Sequence, residues 1–391
     1  MRVVLSTWGR FQIVQLARQM QRFGWLIGVF STFSRYQLRN EGIPREKLLT
    51  NPWLHTPLVL KWRLGLYHHR LDGAWMELTE RRQLAFISKR IPECDIFVAL
   101  SGSGLTGGRI TQQRGGKWIC DRASSHMVYV EDLLADEFSR YGMTFQRTDP
   151  WFVEKDLIEY QEADHIVVPS ESARQSFIAK GIDQSKVTRI SFGSDLGTFR
   201  RTADPDPDAF TVCYCGQVNF RKGIPYLLDA FRRVKHPKKR LVIVGAIKPE
   251  IKKFLSTAHL ENVEFLGLLP RAQLPDVYSR ANVFAIASLE EGMAMVQTEA
   301  MACGVPVIAT FNAGASDVIE EGVSGYVVPI RAPQVMAERL QRLADDPVLC
   351  RQMGENARRG VELLGGWDSY GNAYRELCLK LAPAAAKSPK G

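Results

Sequence analysis

The chain has 391 residues, of which 45% are hydrophobic and 24% charged, and its formal net charge is +9. The length suits two domains, each with its own core, and the composition is ordinary for a globular protein. No apolar run is long enough to cross a bilayer, and the seven scattered cysteines favour reduced thiols in a cytosolic protein over a metal site or disulfides.

The positive charge is concentrated in the first part of the chain. Residues 1–120 hold 18 Lys and Arg against 7 Asp and Glu, a balance of +11, whereas the rest has 33 against 35. A basic surface of this kind either faces an anionic partner or is simply solvated. We expect no nucleic-acid partner, because no ladder of interleaved basic and aromatic residues is visible.

The predicted elements of the first half alternate between short apolar strands and amphipathic helices. The opening segment, MRVVLST, is predicted to be a strand and not a signal peptide, because Gly9 and Arg10 interrupt the apolar run. Helices are predicted over FQIVQLARQMQRFG and SESARQSFIAKG. Further strands are predicted over WLIGVFST, DIFVAL, KWICD, DHIVVPS and KVTRISFG. This alternation is typical of parallel sheets covered by helices.

A polar stretch with two prolines, residues 195–210, then indicates a linker. After it the alternation resumes, with strands predicted over TVCYCGQ, KRLVIVG, VEFLGLL, NVFAIAS, PVIAT and GYVVP. The sequence thus predicts an α/β protein with two doubly wound Rossmann-like domains, 1–195 and 196–366, that face each other across a cleft. A last helix over about 367–382 is expected to pack back on the first domain, before a disordered tail, 383–391.

The segment SGSGLTGG carries a glycine pattern that is typical of dinucleotide sites. Gly102, Gly104 and Gly107 have the spacing G-x-G-x-x-G, and the next strand ends at Asp121. However, βα units already precede this loop, and the space before the strand at Lys117 allows only about two turns of helix. We therefore expect Gly102, Gly104 and Asp121 to line the acceptor side of the cleft, and we keep an NAD-dependent enzyme as the alternative.

The stretch SLEEGMAMVQTEAMACGVPVIAT, residues 288–310, predicts an anion site. A helix is expected to begin near Met295 and to end at Gly304, so that the backbone N–H groups of residues 293–296 open it. Glu291 lies in the preceding loop, and Glu299 lies about one turn into the helix. Acids on both sides of an anion site suit a nucleotide diphosphate sugar. The alternative is an ordinary helix N-terminus, where acids are favoured in any case.

With the blocks around it, this stretch resembles the glycosyltransferases of the GT-B fold, in particular the large retaining family 4. Glu291 and Glu299 match the family's E-x7-E motif. Other blocks match in order: CGQVNFRKGIPYLLDAF, FLGLLPRAQLPDVYSRANVFAIAS, GVPVIAT and AGASDVIEEGVSGYVV. The resemblance implies retaining transfer of a sugar from a nucleotide diphosphate sugar to a saccharide or lipid-linked hydroxyl, in glycan, polysaccharide or glycolipid synthesis.

The resemblance also implies roles for individual residues. Glu291 would hydrogen-bond the donor sugar, Glu299 would bind the ribose, and Lys222 would neutralise the leaving diphosphate. His126 would lie near the reacting sugar. The other donor-side positions that it implies are Gly9, Gln217, Arg221, Leu268 beside the base, and the loop residues Gly292, Met293, Ala294, Met295 and Val296.

Three positions depart from the family pattern. Gln217 stands where the family has arginine, which removes one cation from the diphosphate site, and Arg221 is the candidate replacement. Ala294 and Asp317 replace a glycine and a glutamate. A nucleotide-sugar-binding protein without transfer activity therefore remains an alternative.

No cofactor and no catalytic metal are expected, because Lys222 and the helix start would supply the positive charge. The acidic run at residues 204–208, DPDPD, is interpreted as a solvated spacer and not as a metal site. The acceptor is not specified by the sequence.

Residues 53–71, WLHTPLVLKWRLGLYHHRL, interleave aromatic and basic side chains. We hypothesise that this segment contacts an anionic membrane at its cytoplasmic face or an anionic, lipid-linked acceptor. A helix packed on the first sheet is the alternative.

Overall fold

The computed structural model of the protein describes residues 1–10, 12–53, 55–64, 66 and 69–383. Most of the predicted tail, residues 384–391, and several positions of the segment 53–71 therefore lie outside the described residues. The described residues form two parallel sheets, each flanked by helices.

The first sheet has seven strands: β1 (Val3–Thr7), β2 (Leu26–Ser31), β3 (Leu48–Thr50), β4 (Ile96–Leu100), β5 (Lys117–Asp121), β6 (His165–Val168) and β7 (Val187–Arg189). Their order across the sheet is β3-β2-β1-β4-β5-β6-β7, and all neighbours are parallel. The helices of this half are α1 (Gln12–Arg22), α2 (His55–Arg63), α3 (His69–Arg90), α4 (Leu105–Gln113), α5 (Met127–Arg140), α6 (Pro150–Glu162) and α7 (Glu171–Ala179).

The second sheet has six parallel strands: β8 (Phe210–Cys215), β9 (Lys239–Val244), β10 (Val263–Gly267), β11 (Val283–Ile286), β12 (Val307–Thr310) and β13 (Gly325–Val328). Their order is β10-β9-β8-β11-β12-β13. The helices that follow β8 are α8 (Ile224–Arg233), α9 (Lys252–Leu255), α10 (Leu274–Ser279), α11 (Val296–Ala302), α12 (Pro333–Asp345), α13 (Pro347–Leu364) and α14 (Trp367–Leu381).

Both sheets are doubly wound, which confirms the predicted fold class. The central strands are continuous apolar runs because helices exclude water from them, and all five residues of β1 are buried. The strand order reverses between β1 and β4 in one sheet and between β8 and β11 in the other. Ligands of such sheets bind beyond the carboxyl ends of the strands at this reversal. The loops after β1, β4, β8 and β11 are therefore the expected location of a site.

The chain crosses between the two halves of the molecule twice, once between β7 and β8 and once between α13 and α14. These two connecting segments are in contact. The first connects β7 to β8, and the predicted boundary after residue 195 falls within it. A side chain at Gly193 would lie 2.4 Å from the backbone nitrogen of Trp367, so glycine is required for this close approach.

The last helix, α14, packs against α1 of the first sheet. Gln19 Nε2 donates to Asp368 Oδ1 over 2.9 Å, and Arg22 pairs with the same carboxylate. Gly371 permits the close contact, because a Cβ there would lie 2.5 Å from Gln19 Cγ. The chain thus returns to the first sheet at its carboxyl-terminal end.

The glycines of α4 allow this helix to lie directly on β4 and β5. An added Cβ would lie 2.8 Å from Trp118 Nε1 at Gly104, 2.5 Å from Phe97 Cζ at Gly107 and 2.1 Å from Trp118 Cδ2 at Gly108. The glycine-rich sequence is therefore explained by packing between helix and sheet.

Replacing Gly108 with alanine should lower the free energy of unfolding by about 1–3 kcal/mol, because the new methyl group would overlap the buried Trp118 ring. Gly360→Ala is the matched control: the nearest atom to its Cβ is Met301 Cε at 4.0 Å, so we expect no loss. Urea unfolding of both variants measures the difference. Equal stability of the two would contradict the packing argument.

Candidate functional site

Lys222 and Glu291 meet where the second sheet reverses its strand order. Lys222 follows β8, Glu291 follows β11, and Lys222 Nζ donates to Glu291 Oε1. The Arg221 guanidinium lies 3.7 Å from Glu291 Oε2, and Ser288 Oγ donates to Glu291 Oε1 over 3.1 Å. Two cations thus converge on one largely buried carboxylate at the expected edge of the sheet.

The backbone brings these two loops together. Gly223 has φ +66°, and a Cβ there would lie 1.9 Å from the Ala287 carbonyl oxygen. Asn219 Oδ1 accepts from the Lys222 amide over 2.8 Å and fixes the turn. A glycine directly after Lys222 therefore lets the lysine approach the strand end that carries Glu291.

Glu299 lies in the first turn of α11, as expected. Tyr278 Oη donates to its Oε2 over 3.2 Å, and Arg271 lies 3.5 Å from its Oε1. Burial raises the pKa of Glu299, while Arg271 and Tyr278 oppose this rise. Each carboxylate oxygen of Glu299 thus has one partner in the second domain, and its role toward the ribose stays a prediction.

The loop before α11 has fewer backbone N–H groups available to bind an anion than the sequence predicts. The helix begins at Val296, and the amide of Ala294 donates to the Ala313 carbonyl over 3.0 Å. The amides of Met293, Met295 and Val296 are left as the candidate donors, and the anion site stays a prediction.

The remaining donor-side positions lie at strand ends. Gln217 follows β8 with an exposed side chain, Leu268 directly follows β10 and is 78% exposed, and Gly9 follows β1, where its amide donates to Thr7 Oγ1. Their roles toward a nucleotide stay predictions.

His126 lies in the interior of the first domain, directly before α5. Its backbone begins α5 and donates to Ser176 Oγ over 2.8 Å, but its ring is 3% exposed and packs against Tyr160 and Phe177. Burial, with Arg122 and Lys180 nearby, lowers the pKa of His126 to about 4. The imidazole is therefore an interior, neutral group, and its place near the reacting sugar stays a prediction.

The glycine loop after β4 already binds an anion that belongs to the protein. The amides of Gly102, Gly104 and Leu105 each donate to the Glu159 carboxylate over 2.9 Å. Burial raises the pKa of Glu159 to about 7. This carboxylate from α6 occupies the place of a dinucleotide phosphate, which argues against the NAD alternative. Gly104 is buried there and does not line the cleft, contrary to prediction.

Asp121 is also an interior residue and not part of an acceptor surface. Gln12 Nε2 donates to its Oδ1 over 3.1 Å, and the Tyr374 hydroxyl of α14 donates to its Oδ2. The carboxyl end of β5 thus holds α1 and α14 together. The sequence pattern could not show this, because Tyr374 is distant along the chain.

Burial raises the pKa of Asp121 to about 6 from its ordinary value of 3.8. The fold therefore favours the protonated form, and this contribution to stability is lost as the pH rises from about 4 to about 6. We expect Asp121→Asn to flatten the pH dependence of the free energy of unfolding in that range. Urea unfolding at pH 4, 5 and 6 tests this, and parallel curves for the variant and the wild type would contradict it.

The donor-side loop is in direct contact with the first domain. Ser170 Oγ donates to the Gly292 carbonyl over 2.5 Å, and a Cβ at Gly292 would lie 1.8 Å from the Ala123 carbonyl oxygen. Asp317, which replaces the family glutamate, accepts from the Glu171 amide over 3.0 Å and pairs with Arg189 at 2.7 Å. Residues of both domains therefore build the site.

A cavity of about 670 Å³ opens at the reversal point of the first sheet. Gly102 lines it, as predicted, together with Trp8 after β1 and Arg122 after β5. Its walls carry five carboxylates, three cations and the rings of Trp8 and Phe152. The charged residues are Asp72, Glu77, Glu80, Asp149, Asp156, Arg122, Arg147 and Lys155.

The cavity is connected to the donor-side loop through residues 122–125. Arg122 pairs with Asp156 at 2.9 Å and donates to the Ser125 carbonyl, while the Ser125 amide donates to Glu290. Neither Glu290 nor the Arg122–Asp156 pair was predicted from the sequence. One feature of the sequence could have pointed to Glu290: it is the first of two consecutive acidic residues in the loop after β11.

Comparison with known proteins agrees with this geometry. Residues 197–360 match the family model for glycosyl transferases group 1. The chain is 28% identical over 227 residues to the capsular polysaccharide biosynthesis glycosyltransferase CapM of Staphylococcus aureus, covering 51% of this chain and 57% of that protein. The chain spans about half to two thirds of the length of such curated relatives.

Several solved structures match nearly the whole chain, and two of them illustrate the likeness. Sucrose-phosphate synthase from Thermosynechococcus elongatus has a TM-score of 0.72 at 21% identity and covers 98% of this chain and 100% of that chain. Anabaena HepE in complex with UDP has a TM-score of 0.69 at 16% identity. The match covers 97% of this chain and 100% of the HepE chain. These likenesses show the two-domain GT-B fold. Residues 197–360 are thus similar to a glycosyl transferases group 1 domain.

No helix in the described part of the chain is long and apolar enough to cross a membrane. All seven cysteines lie in this part and are free thiols. Among the described residues, no three His, Cys, Asp or Glu side chains are grouped as metal ligands.

Proposed function

We propose that the protein is a retaining glycosyltransferase that moves a sugar from a nucleotide diphosphate sugar to a hydroxyl acceptor. The observation that carries the proposal is the convergence of Lys222 and Arg221 on Glu291 where the second sheet reverses. The glycosyl transferases group 1 match over residues 197–360 supports it, as does the binding of UDP and of UDP-glucose by the structurally similar HepE.

In the proposed reaction, the bond between the anomeric carbon and the diphosphate oxygen breaks, and its electron pair leaves with the diphosphate. The acceptor oxygen bonds to the anomeric carbon on the same face, and its proton passes to the departing phosphate oxygen. Lys222 stabilises the negative charge that develops on the diphosphate, so we expect no metal requirement. Glu291 orients the donor sugar by accepting hydrogen bonds from the hydroxyl groups of the sugar, and Glu299 holds the ribose.

Arg221 is the proposed substitute for the family arginine at the position of Gln217. Its guanidinium lies 3.2 Å from Glu290 Oε2 and 3.7 Å from Glu291 Oε2, beside Lys222. If Arg221 did not contact the diphosphate, the chain would bind a nucleotide sugar with a weakened ability to expel it. A binding protein without transfer activity is therefore the second candidate function.

We place the acceptor in the cavity of the first domain. Carbohydrate hydroxyls can pair with its carboxylates and its cations, and its two aromatic rings offer apolar faces for a sugar ring. Because carboxylates outnumber cations on its walls, an uncharged saccharide fits this cavity better than a phosphorylated group. The basic character of residues 1–120 is thus not a property of the cavity.

We propose that the basic first part of the chain, residues 1–120, binds the surface of an anionic membrane through α2 and the start of α3. Trp53 is 81% exposed, and further leucines of this region are also exposed: Leu60, Leu64, Leu66, Leu71 and Leu78. Apolar side chains beside basic ones suit the interface of an anionic bilayer. Co-sedimentation with vesicles with and without anionic lipid tests this, and binding to neither would contradict it.

Binding of nucleotides tests the donor site first. UDP, GDP, ADP and NAD are added separately, and thermal unfolding is followed. One nucleoside diphosphate should stabilise the protein by about 2.7 kcal/mol at ~100 times its dissociation constant. Stabilisation by NAD alone would contradict the proposed function, and stabilisation by a nucleoside diphosphate without donor turnover would favour the binding protein.

A further inference from the structure

Glu290 is a buried carboxylate whose partners come from both domains. Its side chain is 2% exposed. Oε1 accepts from Ser124 Oγ over 2.7 Å and from the Ser125 amide over 3.2 Å, and both donors belong to the first domain. Oε2 accepts from the Arg221 guanidinium of the second domain over 3.2 Å.

This arrangement ties the position of Arg221 to the contact between the domains. A buried carboxylate is costly unless hydrogen bonds and an opposite charge satisfy it. If the domains separate, Oε1 loses both of its donors at once. With the domains in contact, one oxygen of Glu290 is anchored by the first domain, so the other can hold the guanidinium in one orientation beside Lys222 and Glu291.

We propose that Glu290 is a positioning residue that places Arg221 at the diphosphate site when the domains close. Arg221 then supplies the cation that Gln217 does not, and full leaving-group stabilisation is available only in the closed state. This inference rests on the proposed function, because it requires a diphosphate beside Lys222. It adds a domain-crossing contact that explains how the chain manages without the arginine at position 217.

A double-mutant cycle on nucleoside diphosphate release from the donor tests the inference. Glu290→Gln keeps the size of the side chain but loses the ion pair, so kcat should fall about tenfold to a hundredfold with little change in the donor KM. Arg221→Ala should cause a loss of similar size. The double variant should be no worse than Arg221→Ala alone, because both changes remove the same contact.

Two further variants make the test independent of folding defects. Ser124→Ala removes a donor from the opposite domain and should lower kcat in the same direction but by less. Gln217→Arg should restore turnover in the Glu290→Gln background, which a merely destabilised protein would not show. Glu264→Gln, an exposed acid on β10, is the control and should leave kcat unchanged.

The possible outcomes distinguish a failure of the role of Glu290 from a failure of the proposed function. Losses for Glu290→Gln and Arg221→Ala that multiply in the double variant would overturn the role of Glu290 and leave the proposed function standing. Absence of rescue by Gln217→Arg would also overturn it. A wild-type chain that releases no nucleoside diphosphate from any donor would overturn the proposed function, and this inference with it.

Discussion

Replacement of Lys222 by alanine should reduce sugar transfer by a factor of about 10²–10³ or more while the protein remains folded. The ammonium group is the cation nearest to Glu291 in the site and would stabilise charge as it develops on the leaving diphosphate. Its backbone is held separately by Asn219, so the turn should survive the loss of the side chain. Donor turnover at saturating acceptor measures the effect.

The matched control for this variant is Lys253→Ala, which removes an exposed lysine from α9 in the same domain. It should transfer sugar at the wild-type rate. Thermal unfolding of both variants shows whether the fold is kept. A Lys222→Ala protein that is folded and as active as the control would remove the basis for leaving-group stabilisation by this residue.

Glu291→Gln should separate nucleotide binding from transfer. Transfer is expected to fall by about 10²-fold or more, because the sugar hydroxyl then donates to a neutral amide oxygen in place of a charged carboxylate. Binding of the free nucleoside diphosphate should be unchanged or tighter, since the variant removes a negative charge beside Lys222 and Arg221. Calorimetry measures the affinity for the nucleoside diphosphate, and turnover of the donor measures the rate of transfer.

Glu355→Gln on α13 provides the corresponding control, because its side chain is exposed and far along the chain from the loop after β11. It should change neither quantity. If Glu291→Gln instead weakened nucleotide binding as strongly as it slowed transfer, Glu291 would contact the nucleotide and not the sugar.

The fold could be predicted from the sequence because most of its strands contain a short apolar run and alternate with longer amphipathic segments. β1, β5, β9 and β12 lie within or over the segments assigned to them. β3 was not predicted, since Leu48–Thr50 is too short to show a pattern. No element was assigned to residues 127–162, where α5 and α6 lie.

The structure brings Lys222 and Glu291, which the resemblance named separately, into contact, whereas three other predicted site residues are engaged in the interior. His126 is buried between aromatic rings, Gly104 packs on Trp118, and Asp121 binds Tyr374. The partners of His126 and Asp121 come from distant segments of the chain, whereas Trp118 lies on the strand that follows α4. A glycine pattern shows that a close approach is required, but not whether a ligand, a helix or a carboxylate makes it.

The most direct measurement of the central claim is product formation from a panel of nucleotide diphosphate sugars, offered with saccharide and lipid-linked acceptors and analysed by mass spectrometry and NMR. We predict that one donor yields equal amounts of nucleoside diphosphate and glycoside, that the glycoside keeps the anomeric configuration of the donor, and that Lys222→Ala yields neither product. Stabilisation by a nucleoside diphosphate with no glycoside from any donor, or a glycoside of inverted configuration, would contradict the account.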